Sequence, residues 1–186
     1  MSRKKMIPKL NPLNAQEVLK GGGIIIYPTE GIYGIGCDAF NQNSVNKVKS
    51  IKGRSISKSF IVICSDVIQL KNIINQDYMN SQELLAKNFI TWIVPAHEKC
   101  PSWLTIESTV AVRITNHPVI DNLCNGINGP IISTSANYSN QSYINDIKKI
   151  EILFDNKVDY IIEGELGGEV KSSTIKNIIT KEVLRK

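Results

Sequence analysis

The chain has 186 residues, with 22 Lys and Arg against 17 Asp and Glu, so its formal charge is +5. Hydrophobic residues make up 42% and charged residues 21%, which suits a folded core and excludes a disordered or low-complexity chain. The length predicts one domain over residues 1–186. No window reaches the roughly 18 consecutive apolar residues of a membrane span. We therefore expect a cytoplasmic protein that does not bind membranes.

Apolar periodicity, with glycine or proline at the boundaries, predicts alternating helices and strands along the chain. Ser44 is expected to cap the second helix, and Gly53 to end it. The predicted helices are 11–19, 44–52, 66–74, 81–87, 118–123 and 145–154. The predicted strands are 24–27, 60–63, 91–94, 110–114, 130–133, 160–162 and 174–179. This alternation predicts an α/β fold with a mixed sheet and flanking helices.

Three glycines follow the first predicted strand, in the segment Thr29-Glu30-Gly31-Ile32-Tyr33-Gly34-Ile35-Gly36. Their order, Gly-x-x-Gly-x-Gly, differs from the dinucleotide-binding fingerprint, and the chain contains no Gly-Lys-Ser/Thr of a P-loop. The glycines either border a ligand or simply permit a tight turn beside a buried strand.

Three cations are close together in the sequence where the second helix ends, in Lys52-Gly53-Arg54 and at Lys58. Two basic side chains separated by one residue can converge on a polyphosphate, arginine as a flat fork and lysine as a point charge. The alternative is a solvated basic turn, because cations also favour the C-terminal end of a helix.

A polar segment, Ser133-Thr134-Ser135-Ala136-Asn137, follows the apolar residues of a predicted strand. Ligands of open α/β sheets lie beyond the carboxyl ends of strands, so these groups could bind phosphate or an amino acid; an ordinary turn is the alternative. Arg113 lies within an apolar strand and therefore needs an anion, either an internal carboxylate or a ligand.

Other kinds of catalytic site are not indicated. His97 and His117 have no Cys or acidic partner at ligand spacing, so no metal site is predicted. The four cysteines form no Cys-x-x-Cys pair, and no paired carboxylates or Gly-x-Ser-x-Gly motif are present.

Five segments, taken in order and spacing, resemble the YrdC family. They are Tyr27-Pro28-Thr29-Glu30, Gly34-Ile35-Gly36-Cys37-Asp38, Lys52-Gly53-Arg54, Ala111-Val112-Arg113 with His117-Pro118, and Ser133-Thr134-Ser135-Ala136-Asn137. The likeness runs from about Asn14 to the C-terminus, and within the family the chain is similar to the short bacterial form. The Lys-x-Arg motif together with Ser-x-Asn is the family's signature.

The resemblance implies a twisted, open mixed sheet with a basic concave face. It implies an L-threonylcarbamoyladenylate synthase, which makes threonylcarbamoyl-AMP and pyrophosphate from ATP, L-threonine and bicarbonate. The product would serve threonylcarbamoyladenosine modification of tRNA, so tRNA and other threonylcarbamoylation proteins are expected partners. ATP would be a substrate, accompanied by Mg²⁺ held through phosphates and water.

The resemblance also implies roles for individual residues, with Lys52 and Arg54 as the catalytic pair. The residues expected to bind ATP are Lys52, Arg54, Lys58, Thr109, Ser133 and Asn137. The residues expected to bind threonine are Thr29, Tyr33, Arg113 and Ser135, with Arg113 at the carboxylate.

The chain departs from the family pattern in three places. Ala86-Lys87-Asn88-Phe89 replaces Trp-Pro-Gly-Pro, and Ser55 and Ser172 each stand where a proline is usual. These changes affect the expected loop shapes more than the expected chemistry.

Two other functions are compatible with the same fold. A nonenzymatic module binding double-stranded RNA would use the same basic concavity, and its affinity would fall steeply with salt. A carbamoyl-transfer domain like those of hydrogenase maturation proteins would be expected in a larger chain with zinc-type cysteines.

Overall fold

Ten strands form one mixed sheet in the computed structural model, which describes residues 7, 9–53, 60–139 and 141–186. In chain order they are β1 (Lys9–Leu10), β2 (Ile25–Pro28), β3 (Tyr33–Gly36), β4 (Ile61–Cys64), β5 (Ile90–Pro95), β6 (Thr109–Ile114), β7 (Ile131–Ser135), β8 (Tyr160–Ile162), β9 (Thr174–Asn177) and β10 (Val183–Arg185). Their order across the sheet is β1-β8-β2-β3-β7-β4-β6-β5-β9-β10. Strands β1–β8, β8–β2, β4–β6 and β5–β9 pair in parallel, and the other neighbours pair antiparallel.

Five α-helices accompany the sheet in the described part of the chain. They are α1 (Pro12–Lys20), α2 (Gln42–Lys52), α3 (Gln82–Leu85), α4 (Pro118–Ile127) and α5 (Ile147–Leu153). The predicted cap Ser44 is wrong, because it lies in the first turn of α2; the Asn41 side chain caps this helix by accepting a hydrogen bond from the backbone N–H of Ser44. Gly53 ends α2 with φ +57°, in the left-handed region that glycine adopts without a steric penalty. None of these helices combines the length and the apolar character that a bilayer crossing requires.

The two faces of the sheet differ because successive strand residues point to opposite sides. Val62 and Val112 are fully buried on the side where α4 packs against β4. The neighbouring Ile61 and Ala111 point to the other side and line an open cavity. The α/β fold with a mixed sheet and flanking helices is therefore confirmed.

The predicted helix over residues 66–74 is wrong, because only Val67–Leu70 forms a short 3₁₀ turn. Ile74 instead forms an isolated bridge with Ala96, and the backbone of Ile73 accepts a hydrogen bond from His97. These contacts with the end of β5 bend the chain out of a helical path. Strands β3 and β10 were not among the predicted strands, since β3 is half glycine and β10 is exposed along its length.

Candidate active site

The floor of the cavity is the sheet itself. A row of residues in register crosses four strands, from Ser133 on β7 through Ile61 and Ala111 to Ile93 on β5. The cavity has a volume of about 660 Å³, which is the size of a typical small-molecule site. Its walls come from the end of α2, the loop after β7, and the two C-terminal strands with the segment before them.

Lys52 joins the end of α2 to the Ser-x-Asn turn at one side of this cavity. The side chain is buried, and its Nζ donates to the backbone oxygens of Ser135 (2.5 Å) and Asn137 and to Asn137 Oδ1 (3.1 Å). All three of these acceptors belong to the Ser-x-Asn turn. Lys52 and the Ser-x-Asn turn, far apart in sequence, therefore meet at one cavity. Arg54, Ser55 and Lys58 lie outside the described residues.

Asn137 holds the turn that follows β7. Its Oδ1 accepts from Lys52 and from the Ser135 hydroxyl, and its Nδ2 donates to the backbone oxygen of Gln141. The amide is only 4% exposed although it lines the cavity. The Asn137 side chain therefore both stabilises the turn at the edge of the cavity and lines the cavity.

Arg113 lies on β6, lines the cavity and is only 5% exposed. Its Nη1 is 2.6 Å from Glu30 Oε2, so the two side chains form a close ion pair. The guanidinium also lies over the ring of Phe89, with Cζ 5.1 Å from the ring centroid. The sequence left open whether the anion beside Arg113 is internal or a ligand, and the structure provides an internal carboxylate.

The neighbours of Glu30 stabilise the ionised form of its carboxyl group. Burial acts to raise the pKa of this carboxyl, but the Arg113 charge and a hydrogen bond from the Thr115 hydroxyl together lower the pKa below its ordinary value. Glu30 is therefore ionised at neutral pH, and the pair with Arg113 is a true ion pair.

The remaining predicted residues divide into two groups. Thr29, Ser133 and Ser135 line the cavity, and the Thr29 hydroxyl donates to the backbone oxygen of Ile32 at 2.7 Å. Tyr33 and Thr109 are not among its lining residues. Strand alternation places Tyr33 on the opposite side from Gly34, packed against the core. Thr109 starts β6, one strand repeat before Ala111, and its hydroxyl donates to Ile106 O at 2.8 Å.

Sequence reasoning missed several residues that line the cavity, above all Phe89, Ser173 and Arg185. Arg185 comes from the last strand, and its Nη2 donates to the backbone oxygen of Ser173 at 2.8 Å. With Lys52 and Arg113 it makes three cations in the lining, and no carboxylate is found among the described lining residues. Such a cavity favours an anionic ligand.

The described residues offer neither an activated cysteine nucleophile at Cys100 or Cys124 nor a cluster of metal ligands. Burial raises the pKa of the Cys124 thiol to about 12 and that of Cys100 to about 11, so neither is a thiolate at neutral pH. No group of three or more His, Cys, Asp or Glu side chains is placed to hold a metal ion there. The site offers cations, hydroxyls and an amide.

Comparison with known proteins shows the family to which the chain belongs. The model of the Sua5/YciO/YrdC family, described as "Telomere recombination", matches residues 17–186. A threonylcarbamoyl-AMP synthase of Coxiella burnetii is 40% identical over 179 residues, which cover 92% of this chain and 95% of that protein. A threonylcarbamoyl-AMP synthase of Pseudomonas aeruginosa is 35% identical over 184 residues, which cover 97% of this chain and 99% of that protein.

Solved structures share the fold. A variant of P. abyssi Sua5 superposes with a TM-score of 0.81 at 26% identity, covering 93% of this chain and 54% of that longer chain. E. coli YciO superposes with a TM-score of 0.81 at 24% identity, covering 94% of this chain and 88% of its own, which shows the fold alone. The family resemblance predicted from the motifs is confirmed, and the chain belongs to the Sua5/YciO/YrdC family.

Proposed function

We propose that this chain is a threonylcarbamoyl-AMP synthase, which forms threonylcarbamoyl-AMP and pyrophosphate from ATP, L-threonine and bicarbonate. Relatives with this name are 35–40% identical over more than nine-tenths of the chain, which supports the assignment. The observation that carries it is the contact of Lys52 with the Ser-x-Asn turn at a cavity lined by three cations. A cavity with this lining suits a polyanion, which supports the proposal.

ATP would lie on the side of the cavity where α2 meets the loop after β7. Lys52, Ser133 and Asn137 line this region, which supports their predicted role toward the nucleotide. Arg54 and Lys58 follow α2 directly in sequence and remain proposed phosphate contacts, and Thr109 remains a proposed contact on the face of β6. Mg²⁺ would enter with ATP, held by the phosphates and water.

Threonine would lie beside Arg113. A guanidinium can bind a carboxylate through two parallel N–H groups, so Arg113 is proposed to take the carboxylate of the amino acid. Thr29 and Ser135 line the same cavity and would contact the rest of the substrate. P. abyssi Sua5 has been crystallised with L-threonine, which supports this amino acid as the substrate. Tyr33, packed on the core side, remains a prediction.

The chemistry needs no protein nucleophile. The threonine nitrogen bonds to the carbon of bicarbonate, with loss of water, and gives an N-carboxylate. An oxygen of that carboxylate then attacks the α-phosphorus of ATP, and the bond to the departing pyrophosphate breaks. The protein's contribution is to align three reactants and to stabilise negative charge on the phosphate oxygens. Lys52 and Arg54 are proposed as the catalytic pair for this task.

The product fits a later acyl-transfer step, because a mixed anhydride with AMP activates its carbonyl carbon. We infer that it supplies the threonylcarbamoyl group of modified tRNA in the cytoplasm, through other threonylcarbamoylation proteins. Contact of this chain with tRNA itself is part of the same proposal.

Pyrophosphate release tests the function. Purified protein is incubated with ATP, bicarbonate and each amino acid in turn, and pyrophosphate is measured. We expect pyrophosphate to be released when threonine is the amino acid, and only when both ATP and bicarbonate are present. Release without an amino acid, or none with any of them, would contradict the proposal. Salt-sensitive binding of an RNA duplex without turnover would favour the RNA-binding alternative.

Replacing Arg113 tests the threonine site. We expect Arg113→Ala to weaken threonine binding by about 2–3 kcal/mol, the cost of losing a charge-assisted hydrogen bond, and to leave ATP binding nearly unchanged. Arg113→Lys keeps the charge but loses the planar fork, so it should recover only part of the loss. Titration calorimetry of each variant measures its affinity for threonine and its affinity for ATP. Loss of ATP affinity alone would show that Arg113 does not bind threonine.

A further inference from the structure

Glu30 is charged and close to the cavity, yet it is not one of the lining residues. It lies behind Arg113, and its Oε2 is 2.6 Å from Nη1 of that residue. Both side chains are largely shielded, at 6% exposure for Arg113 and 19% for Glu30. A carboxylate in this place would act on a ligand of the cavity through Arg113.

Glu30 is itself held by two other segments. Its Oε1 accepts a hydrogen bond from the Thr115 hydroxyl, which in turn accepts one from the backbone N–H of His117 at 3.0 Å. Its backbone oxygen accepts from the N–H of Glu169 at 2.8 Å. The carboxylate is therefore held by Thr115, just after β6, while the backbone of Glu30 is held by the segment before β9.

The guanidinium of Arg113 thus has a defined orientation without any ligand. The Glu30 contact is made through Nη1, and the Phe89 ring lies against the same group. A guanidinium carries its N–H donors in one rigid plane, so holding one nitrogen and covering one face restricts the directions of the other donors.

We propose that Glu30 is a positioning residue, which orients Arg113 and thereby sets the affinity of the site for the carboxylate of the amino acid substrate. The inference rests on the function proposed above.

Two effects of Glu30 oppose each other. Its negative charge weakens the attraction of Arg113 for a second carboxylate, whereas its contact keeps the guanidinium in the direction of the cavity. Without Glu30, a cation that is 95% shielded would lose its internal counter-ion, and moving toward water would then lower its energy. Orientation is the larger effect, because a bidentate contact requires the guanidinium plane to be in place before the ligand arrives.

The test compares steady-state kinetics of three variants with the wild-type protein. Glu30→Gln removes the charge at nearly constant size, and Glu30→Asp keeps the charge. Glu83→Gln is the matched control, since it breaks an ion pair with Lys181 outside the cavity lining. Pyrophosphate release is measured against threonine at saturating ATP and against ATP at saturating threonine.

We expect Glu30→Gln to raise the KM for threonine roughly ten- to hundredfold and to leave the KM for ATP within about twofold. Glu30→Asp should recover most of the threonine KM, and Glu83→Gln should behave like the wild type. An unchanged or lowered threonine KM in Glu30→Gln would overturn the inference. Equal rises in both KM values would do the same, since they would indicate a general structural role.

Failure of the inference can be separated from failure of the proposed function. If the wild type releases no pyrophosphate with threonine, the function is wrong and the inference falls with it. If the wild type is active and Glu30→Gln is kinetically normal, the inference alone is wrong. Should Glu30→Gln fail to fold, Thr115→Val removes the hydroxyl that holds Oε1, and an unchanged threonine KM in that variant would overturn the inference.

Discussion

Lys52 shows how one residue can serve both structure and chemistry. A buried ammonium is costly to desolvate, and here the backbone oxygens of Ser135 and Asn137 offset that cost. The motifs predicted Lys52 as a contact for ATP. The structure adds that the same side chain holds the turn on which Ser135 and Asn137 are presented.

Replacing Lys52 should therefore reduce stability as well as activity. We expect Lys52→Met to lower the free energy of unfolding by about 2 kcal/mol, because two buried carbonyls lose their donor. Turnover should fall by roughly 10²–10³, the usual effect of losing one charge contact in the transition state. Lys47→Met, at an exposed position of the same helix, is the control for chemical denaturation and pyrophosphate assays. A stable Lys52→Met protein would refute the structural role.

Glu30 should make stability dependent on pH in the acid range. Because its pKa is lowered in the folded protein, the unfolded chain takes up the proton at a higher pH than the folded one. Its contribution is complete above the ordinary carboxyl pKa of about 4.5 and is lost as the pH falls through the lower folded value. The difference in unfolding free energy between wild type and Glu30→Gln should thus shrink on acidification, in urea titrations at neutral and acid pH. A constant difference would contradict the ion pair.

The hairpin of β2 and β3 shows why this element is rich in glycine. A Cβ on Gly36 would lie 1.9 Å from the backbone oxygen of Ile132 on β7. A Cβ on Gly34 would lie 2.9 Å from the ring of Tyr27 on β2. Gly36 is therefore required by close backbone packing, whereas Gly34 both packs closely and lines the cavity. Gly34 thus borders the cavity, as one interpretation expected, whereas Gly36 is required by strand packing and not by a tight turn.

Gly36→Ala should consequently destabilise the protein. We expect a loss of about 2–3 kcal/mol in unfolding free energy, since the neighbouring strand must move to admit the methyl group. Gly129→Ala is the matched control, because a Cβ there would come no closer than 3.9 Å to another atom. Its effect should stay within about 1 kcal/mol. Equal stability of the two variants in urea unfolding would show that β3 can shift away from β7.

At the scale of the whole molecule, the cavity depends on parts of the chain that are distant in sequence. The end of α2, the loop after β7 and the last strand β10 each contribute lining residues. The lining cations Lys52, Arg113 and Arg185 lie on one side of the sheet, while α4 packs against the other. A ligand bound there contacts several segments at once, so its binding should stabilise the entire fold.

Substrates should therefore raise the melting temperature. At about 100 times its Kd, a ligand that binds only the folded state stabilises it by about 2.7 kcal/mol, which for a chain of this size is about 5–10 °C. We expect this shift with ATP, and a larger one with ATP and threonine together, in thermal unfolding followed by circular dichroism. No shift with ATP, but a shift with an RNA duplex that disappears in salt, would favour the RNA-binding alternative.

The sequence by itself determined the α/β class and most helices and strands, and its motifs indicated the family and predicted a shared site for Lys52 and Asn137. These follow from local periodicity, from capping residues and from motifs with fixed order. Only the tertiary structure decided that Glu30 pairs with Arg113, that Arg185 reaches the cavity and that Tyr33 faces the core. Those contacts depend on strand register and on packing between distant segments, and neither leaves a periodic signal in the chain.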